Sequence, residues 1–285
     1  MRRSLLFMPG NNPAMLQNSD LFESDAVIYD LEDAVSVTEK DSARVLVTEF
    51  LASKDSFPME IVVRINGLDT DFYQDDLNAI VSDKIDTIML PKASVKDLEH
   101  LDEILSKLEK ERNLTKKINL IPIIELASSV LEIEGFVKAN RVNGVLLGAE
   151  DLTRDLDVVR TKKGDEILYP RLRLAVACSA YKIDSIDTPF TDTTDEQGLV
   201  TDCKTALGLG FTSKSAIHPN QIAFINDIFV PAPDKIRWAL RVQEATENAK
   251  KKGLGVFSLD GKMVDKPVID RANKILLKAK RYNLI

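Results

Sequence analysis

Acids and bases fall at the ends of short apolar runs in this chain. Asp30, Glu32 and Asp33 close "AVIYDLED", Arg64 sits in "VVRING", Lys92 closes "TIMLPK", Glu125 closes "LIPIIE", and Glu150 and Asp151 close "VLLGAED". On neighbouring strands, Glu125 and Asp151 can hold one divalent cation between two hard oxygen ligands. Mg²⁺ suits such a pair, because it often takes one or two carboxylates and leaves its other positions to water and substrate. The bland alternative is that each acid caps the following helix or pairs with a nearby base. Arg64 also needs a partner, since a guanidinium among aliphatics is costly to bury alone. Either it forms a salt bridge to Asp30, Glu32 or Asp33, or it recognises a carboxylate or a developing enolate oxygen.

The runs that carry these residues recur along the first 220 positions as β then α. Strand-like segments fall at residues 4–9, 26–33, 61–66, 87–92, 120–125, 145–151, 183–189 and 214–219. They are apolar almost throughout, which is the pattern of a parallel sheet covered on both faces. Between them lie stretches with helical spacing, such as 97–112, where Leu98, Leu101, Ile104, Leu105 and Leu108 share one stripe, and more weakly 169–182. Eight such units predict an α/β fold, a (β/α)8 TIM barrel over residues 1–225. In that fold the polar strand ends meet on one face, where the chemistry belongs. A doubly wound nucleotide fold is disfavoured, because neither GxGxxG nor GxxxxGK[ST] occurs. After the eighth strand the pattern changes to a helix at 233–253 ending on Gly253, a short loop at 254–267 and a last helix at 268–282. Residues 226–285 therefore read as a C-terminal helix-loop-helix extension, packing on the barrel or on a neighbouring subunit.

Composition narrows the function classes. The chain has 285 residues, a formal net charge of -7 and interspersed acids and bases, so no basic tract is available for a phosphate backbone and nucleic acid is not an expected partner. "MRRSLLFMPG" has a charged start, but its apolar stretch is too short for a signal peptide and no run is long enough to span a bilayer. The expected location is cytoplasmic, without membrane association. Cys178 and Cys203 form no CxxC pair and read as buried thiols. His100 and His218 have no zinc spacing; His218 reads as a loop hydrogen-bonding residue and His100 as surface. Lys92 reads as solvated or ion-paired rather than as a Schiff-base lysine. "MPGNNP" (8–13) reads equally as an anion nest for a coenzyme phosphate or as an ordinary strand-to-helix turn.

At these residues the chain resembles the citrate lyase β subunit and the related citramalyl-CoA and malyl-CoA lyases. The ordered series "RSLLFMPGNNP", "DAVIYDLEDAVS", "VVRING", "LPK", "IIE", "GAEDL", "GFTSKSAIHPNQI" and "GKMVDKP" carries the likeness across nearly the whole sequence. The resemblance implies a barrel whose Mg²⁺ is held by Glu125 and Asp151, with Arg64 at the substrate; Glu125 is also an expected substrate contact, and Asp30, Glu32 and Asp33 are expected supporting residues. It also implies that Asp265 of "GKMVDKP" is an acid/base residue on a loop that can cover the site of an adjacent subunit. Without it, Asp265 reads as a turn residue. The implied reaction splits a 3-hydroxy-acyl thioester, citryl-ACP or citryl-CoA, into oxaloacetate and an acetyl thioester. The alternative is a stand-alone citramalyl-CoA or malyl-CoA lyase, because "AIHPNQI" looks like those enzymes, whereas "KMVDKP" and "DLEDAVSVTEKDSAR" look like citrate lyase β subunits. Implied partners are an acyl thioester on acyl carrier protein or CoA, citrate lyase α and γ subunits, and further copies of the chain in a trimer or hexamer. A free-acid metal aldolase and a non-catalytic scaffold subunit remain as other classes.

Overall fold

A computed structural model describes residues 2–251 and 256–285. The chain divides into two compact units, Met1–Asn226 and Asp227–Ile285. In the first, β1 (Ser4–Pro9), β2 (Ala26–Asp30), β3 (Glu60–Arg64), β4 (Thr87–Leu90), β5 (Asn119–Ile124), β6 (Gly144–Leu147), β7 (Asp184–Asp187) and β8 (Ser213–Ala216) close into a barrel in sequence order. Neighbouring strands pair in parallel all the way round, with β1 also pairing β8. This is the expected (β/α)8 architecture.

One apolar cluster fills the barrel: Leu5, Ala26, Ile28, Val62, Met89, Ile121, Ile123, Leu146 and Ile186. Its members come from strands alone, which identifies it as the interior layer. Because side chains alternate between faces with period two, the next inward positions follow directly. They are Asp30 after Ile28, Arg64 after Val62, Glu125 after Ile123, Gly148 after Leu146 and Thr188 after Ile186. The interior thus changes from aliphatic to polar at the C-terminal rim, the face where barrels of this kind place their active sites. Helices cover the outside. Val95–Glu111 starts on a capping box, with Ser94 Oγ accepting from the Asp97 amide and Asp97 accepting from the Ser94 amide, and buries Leu98, Leu101 and Leu105.

Two sequence expectations need correction. The sixth strand stops at Leu147, not at Asp151. Gly148 is the N-cap of the helix Ala149–Asp155, and Glu150 and Asp151 lie in its first turn, where acids suit the positive end of the helix dipole. In the second unit, the expected loop at 254–267 contains a two-stranded hairpin, β9 (Phe257–Leu259) with β10 (Lys262–Val264). Asp260 and Gly261 both have positive φ, the demand of a two-residue type I′ turn. The hairpin lies between the helices Pro233–Lys251 and Lys266–Arg281. Ile236, Ala239, Val242, Val264, Ala272, Leu276 and Ala279 give the unit a core of its own. Gly253, the expected helix terminator, lies outside the described residues.

Candidate active site

A cavity of about 330 Å³ opens at the C-terminal rim, lined by Phe7, Met8, Pro9, Asp30, Asp33, Ala34, Arg64, Ile123, Glu125, Leu146, Gly148, Ala149, Glu150, Asp151, Thr188, Pro189 and Ile217. Asp30 and Arg64 are register partners across β2 and β3, and they form the centre of the charge arrangement. Arg64 Nε donates to Asp30 Oδ1 at 2.7 Å and Nη2 to Oδ2 at 2.5 Å, a fork-to-fork pair. Its Nη1 lies 3.2 Å from Glu32 Oε2, and its plane sits over the Phe7 ring at 4.9 Å. Burial works against the guanidinium charge, but Asp30, with Glu32 and Glu125 beyond it, raises the Arg64 pKa above its usual value. Arg64 is therefore a fixed cation. Both readings of it stand side by side in space: it is salt-bridged to Asp30 and Glu32, and it also lines the cavity.

The loop after β2 is held from below. Lys40 Nζ donates to the Leu31 and Glu32 carbonyls at 2.7 and 2.6 Å, and Asn66 Nδ2 donates to the Leu31 carbonyl at 3.0 Å. Asp30 accepts from the Glu32 and Ala34 amides. Glu32 is buried and bridges two cations, Arg64 on Oε2 and Lys92 Nζ on Oε1 at 3.1 Å. Even so, its Oε2 has no hydrogen-bond partner, and burial raises its pKa. Lys92 is ion-paired as expected, but β4 ends before it at Leu90. At φ 47° Lys92 adopts a left-handed backbone that non-glycine residues rarely take. In this conformation its amide donates to Glu125 Oε2 at 2.8 Å.

Glu125 is only 5% exposed. Burial pushes its carboxyl up to about 7; the Lys92 amide opposes this, while the Glu32 and Asp151 charges add to it. Asp151 lines the cavity and pairs with Arg154 Nη1 at 2.9 Å. Glu150 is exposed and lies 3.6 Å from Arg160 Nε. Asp33 is exposed at the cavity edge.

These acids form a test for a divalent cation. A buried carboxyl whose charge is opposed by burial and by two other acids is one that a dication would stabilise in its charged form. Among the described residues no group of three or more His, Cys, Asp or Glu converges as a complete cage. A pair of carboxylates facing an open cavity is the donor set of a hard cation that keeps several waters, so the residues fit Mg²⁺.

Gly148 is required by the close approach of Glu125. A Cβ there would stand 2.4 Å from Glu125 Cγ, 2.8 Å from its Oε1 and 2.9 Å from Ile123 Cγ2. Gly148→Ala is expected to displace the Glu125 side chain and to cost about 1–3 kcal/mol through overpacking. Urea unfolding measures this, and an unchanged midpoint would show that Glu125 has room to move.

Several of the remaining candidates have partners of their own. Asp265 lies in the second unit as the N-cap of the helix Lys266–Arg281, its Oδ1 accepting from the Val268 amide at 3.3 Å. His218 is exposed and accepts from the Asn220 amide, and His100 is exposed on its helix. Cys178 and Cys203 are buried, and burial pushes both thiols up to about 12. At "MPGNNP" the Gly10 amide is committed to the Asp30 carbonyl and the Asn12 amide to the Pro9 carbonyl, while the Asn12 side chain caps the helix Pro13–Gln17. This is a strand-to-helix turn rather than a phosphate nest.

Sequence reasoning missed Gly148, Thr188 and a buried ion cluster behind the rim. Arg171, Asp187, Asp202 and Lys214 interlock between β7, β8 and the helices Leu168–Tyr181 and Glu196–Leu209. The one available signal was the presence of Asp187 and Lys214 in strands otherwise covered on both faces. No helix among the described residues is long and apolar enough to cross a membrane.

Comparison with known proteins agrees with this geometry. The chain is 41% identical to the citrate lyase subunit beta of Leuconostoc mesenteroides subsp. cremoris, over 100% of this chain and 95% of that one. It is 29% identical to the mitochondrial citramalyl-CoA lyase of Homo sapiens, over 95% and 83% of the two chains. Among solved structures, CitE of Mycobacterium tuberculosis in complex with magnesium, acetoacetate and coenzyme A superposes with a TM-score of 0.77 at 28% identity, covering 97% of each chain. The citrate lyase beta subunit from M. tuberculosis complexed with oxaloacetate and magnesium gives 0.68 at 28% identity, over 81% of this chain and 97% of that one. The HpcH/HpaI aldolase/citrate lyase family matches residues 3–219. With the barrel closed in that order and its acids and Arg64 gathered at one rim, the chain belongs to the HpcH/HpaI aldolase/citrate lyase family.

Proposed function

We propose that this protein is a Mg²⁺-dependent carbon-carbon lyase of the citrate lyase β type, cleaving a citryl thioester to oxaloacetate and an acetyl thioester. The observation that carries this reading is the gathering of Arg64, Glu125 and Asp151 around one cavity in a chain of this family. Glu125 and Asp151 are the residues we assign to hold the metal. When bound, Mg²⁺ supplies Lewis-acid polarisation of substrate oxygens.

In the cleavage the substrate's 3-hydroxyl loses its proton and its oxygen becomes the keto group of the 2-oxo acid. The electrons of the broken carbon-carbon bond pass to the thioester as an enolate, which then gains one proton at carbon. Arg64, held rigid by Asp30 and Glu32, faces the enolate oxygen with its charge already desolvated, so little reorganisation accompanies the reaction. Asp30, Glu32 and Asp33 support Arg64 and the cavity wall. Asp265 is the residue we assign to protonate the enolate carbon, supplied by a neighbouring copy of the chain; that assignment requires a homo-oligomer. The acyl group arrives on CoA or on an acyl carrier protein, and in the citrate lyase setting α and γ subunits are the partners.

A second reading, a stand-alone citramalyl-CoA or malyl-CoA lyase, is favoured by the "AIHPNQI" segment and by the likeness to citramalyl-CoA lyase. One experiment separates the two: release of 2-oxo acid from citryl-CoA, citramalyl-CoA and malyl-CoA by the purified chain, with Mg²⁺ and then with chelator. Chelator-sensitive release is expected, with citryl-CoA the best substrate. Preference for another ester selects the second reading. Release that survives chelation rejects the metal-dependent scheme.

A further inference from the structure

The helix Ala149–Asp155 presents Asp151 to the cavity, yet its N-cap residue has no side chain with which to cap it. Helix starts leave backbone N–H groups unpaired, and a Ser, Thr, Asp or Asn at the N-cap usually satisfies one of them. Here the N-cap is Gly148, and the approach of Glu125 leaves no space for a Cβ. The missing acceptor comes from the next strand instead. Thr188, one residue beyond β7, accepts from the Ala149 amide through Oγ1 at 3.3 Å.

Thr188 is itself fixed by the buried ion cluster. Lys214 Nζ donates to the Thr188 carbonyl at 2.6 Å, and to Asp187 Oδ2 and Asp202 Oδ2 at 2.6 Å each. All three ammonium protons are thereby used. Arg171 closes the ring, with a bidentate pair to Asp187 at 2.9 Å and a bond to Asp202 Oδ1 at 2.7 Å. Two cations and two anions balance, and none of the four is more than 6% exposed. Such a closed arrangement rigidifies its surroundings, since loss of any partner leaves a buried charge uncompensated.

We infer that Thr188 and Lys214 are positioning residues for the metal-binding helix: Lys214 fixes Thr188, and the Thr188 hydroxyl caps the helix in place of Gly148 and sets where Asp151 stands. The inference rests on the proposed function only in taking Asp151 as a metal ligand.

The test is Mg²⁺ binding by calorimetry to the metal-free full-length protein, together with circular dichroism, thermal unfolding, and kcat and KM on citryl-CoA. Thr188→Val keeps the side chain's shape and the ion cluster but removes the capping oxygen. It is expected to weaken Mg²⁺ binding about tenfold, as loss of a supporting partner does in other metal sites, with Thr188→Ser restoring it. It is also expected to lower kcat more than it raises KM. Lys214→Met is expected to weaken binding in the same way, with Thr188→Val adding little to it. Should Lys214→Met fail to fold, the Thr188 pair decides the matter. Mg²⁺ affinity within about twofold of wild type in folded Thr188→Val, or a Thr188→Ser variant as weak as Thr188→Val, overturns the inference. A wild-type chain that binds no Mg²⁺ overturns the proposed function first, which distinguishes the two failures.

Discussion

Arg64→Met is expected to lower kcat/KM by about 10²–10³-fold, the usual effect of removing one preorganised donor from a developing oxyanion. It should also cost about 3–5 kcal/mol of stability, because Asp30 and Glu32 would be left as buried carboxylates without their shared cation. The two effects separate experimentally. Kinetics on the fraction that remains folded by circular dichroism report the chemistry, and denaturant unfolding reports the stability. Arg64→Lys keeps a charge but loses the fork that matches both Asp30 oxygens, so it should recover part of the stability and little of the rate. A folded Arg64→Met enzyme with wild-type kcat/KM would remove Arg64 from the reaction and leave it a structural bridge.

Glu125→Gln combined with Asp151→Asn is expected to abolish detectable Mg²⁺ binding and to reduce turnover by about 10³-fold or more, corresponding to about 4 kcal/mol of transition-state stabilisation. Here the fold should be nearly untouched, in contrast with Arg64. Burial already disfavours the charged form of Glu125, and an amide resembles its protonated form while still accepting from the Lys92 N–H. At Asp151 the loss is an i,i+3 pair with the exposed Arg154, worth about 0.3–0.5 kcal/mol. Thermal unfolding near the wild-type midpoint, with no heat of Mg²⁺ binding and no oxo-acid release, is the anticipated set of results. Turnover that survives the double substitution at saturating Mg²⁺ would falsify the assignment of these carboxylates to the metal.

The barrel was legible because its strands are local: short apolar runs, β-branched and bounded by turns, each readable without knowledge of its neighbours. Asp30, Arg64 and Glu125 were legible for the same reason, as polar residues ending such runs. Two errors came from signals that were present. The acids of "GAEDL" also mark the first turn of a helix, and the glycine before them marks the strand end, but the apolar run drew the strand four residues too far. The Asp260-Gly261 pair is a hairpin signal that a loop reading passed over. Of the Lys214 cluster only Asp187 and Lys214, charges within buried strands, left a signal, and their partners left none. Arg171 and Asp202 are 31 residues apart and meet only because closure of the barrel brings adjacent outer helices together. Thr188 caps a helix that follows a different strand, so no spacing rule within one segment reveals it.

The alternation of faces along β7 and β8 has a bearing on how the chain finds its fold. Ile186 points into the apolar interior, while Asp187, its neighbour, faces the ion cluster beneath the helices. A slip of one residue in either strand would exchange these faces, driving Asp187 or Lys214 into an aliphatic interior without a counter-ion. The charges therefore penalise misregistered barrels far more severely than a purely aliphatic strand would, and a chain that closes in the right register has also aligned Thr188 with the helix it caps.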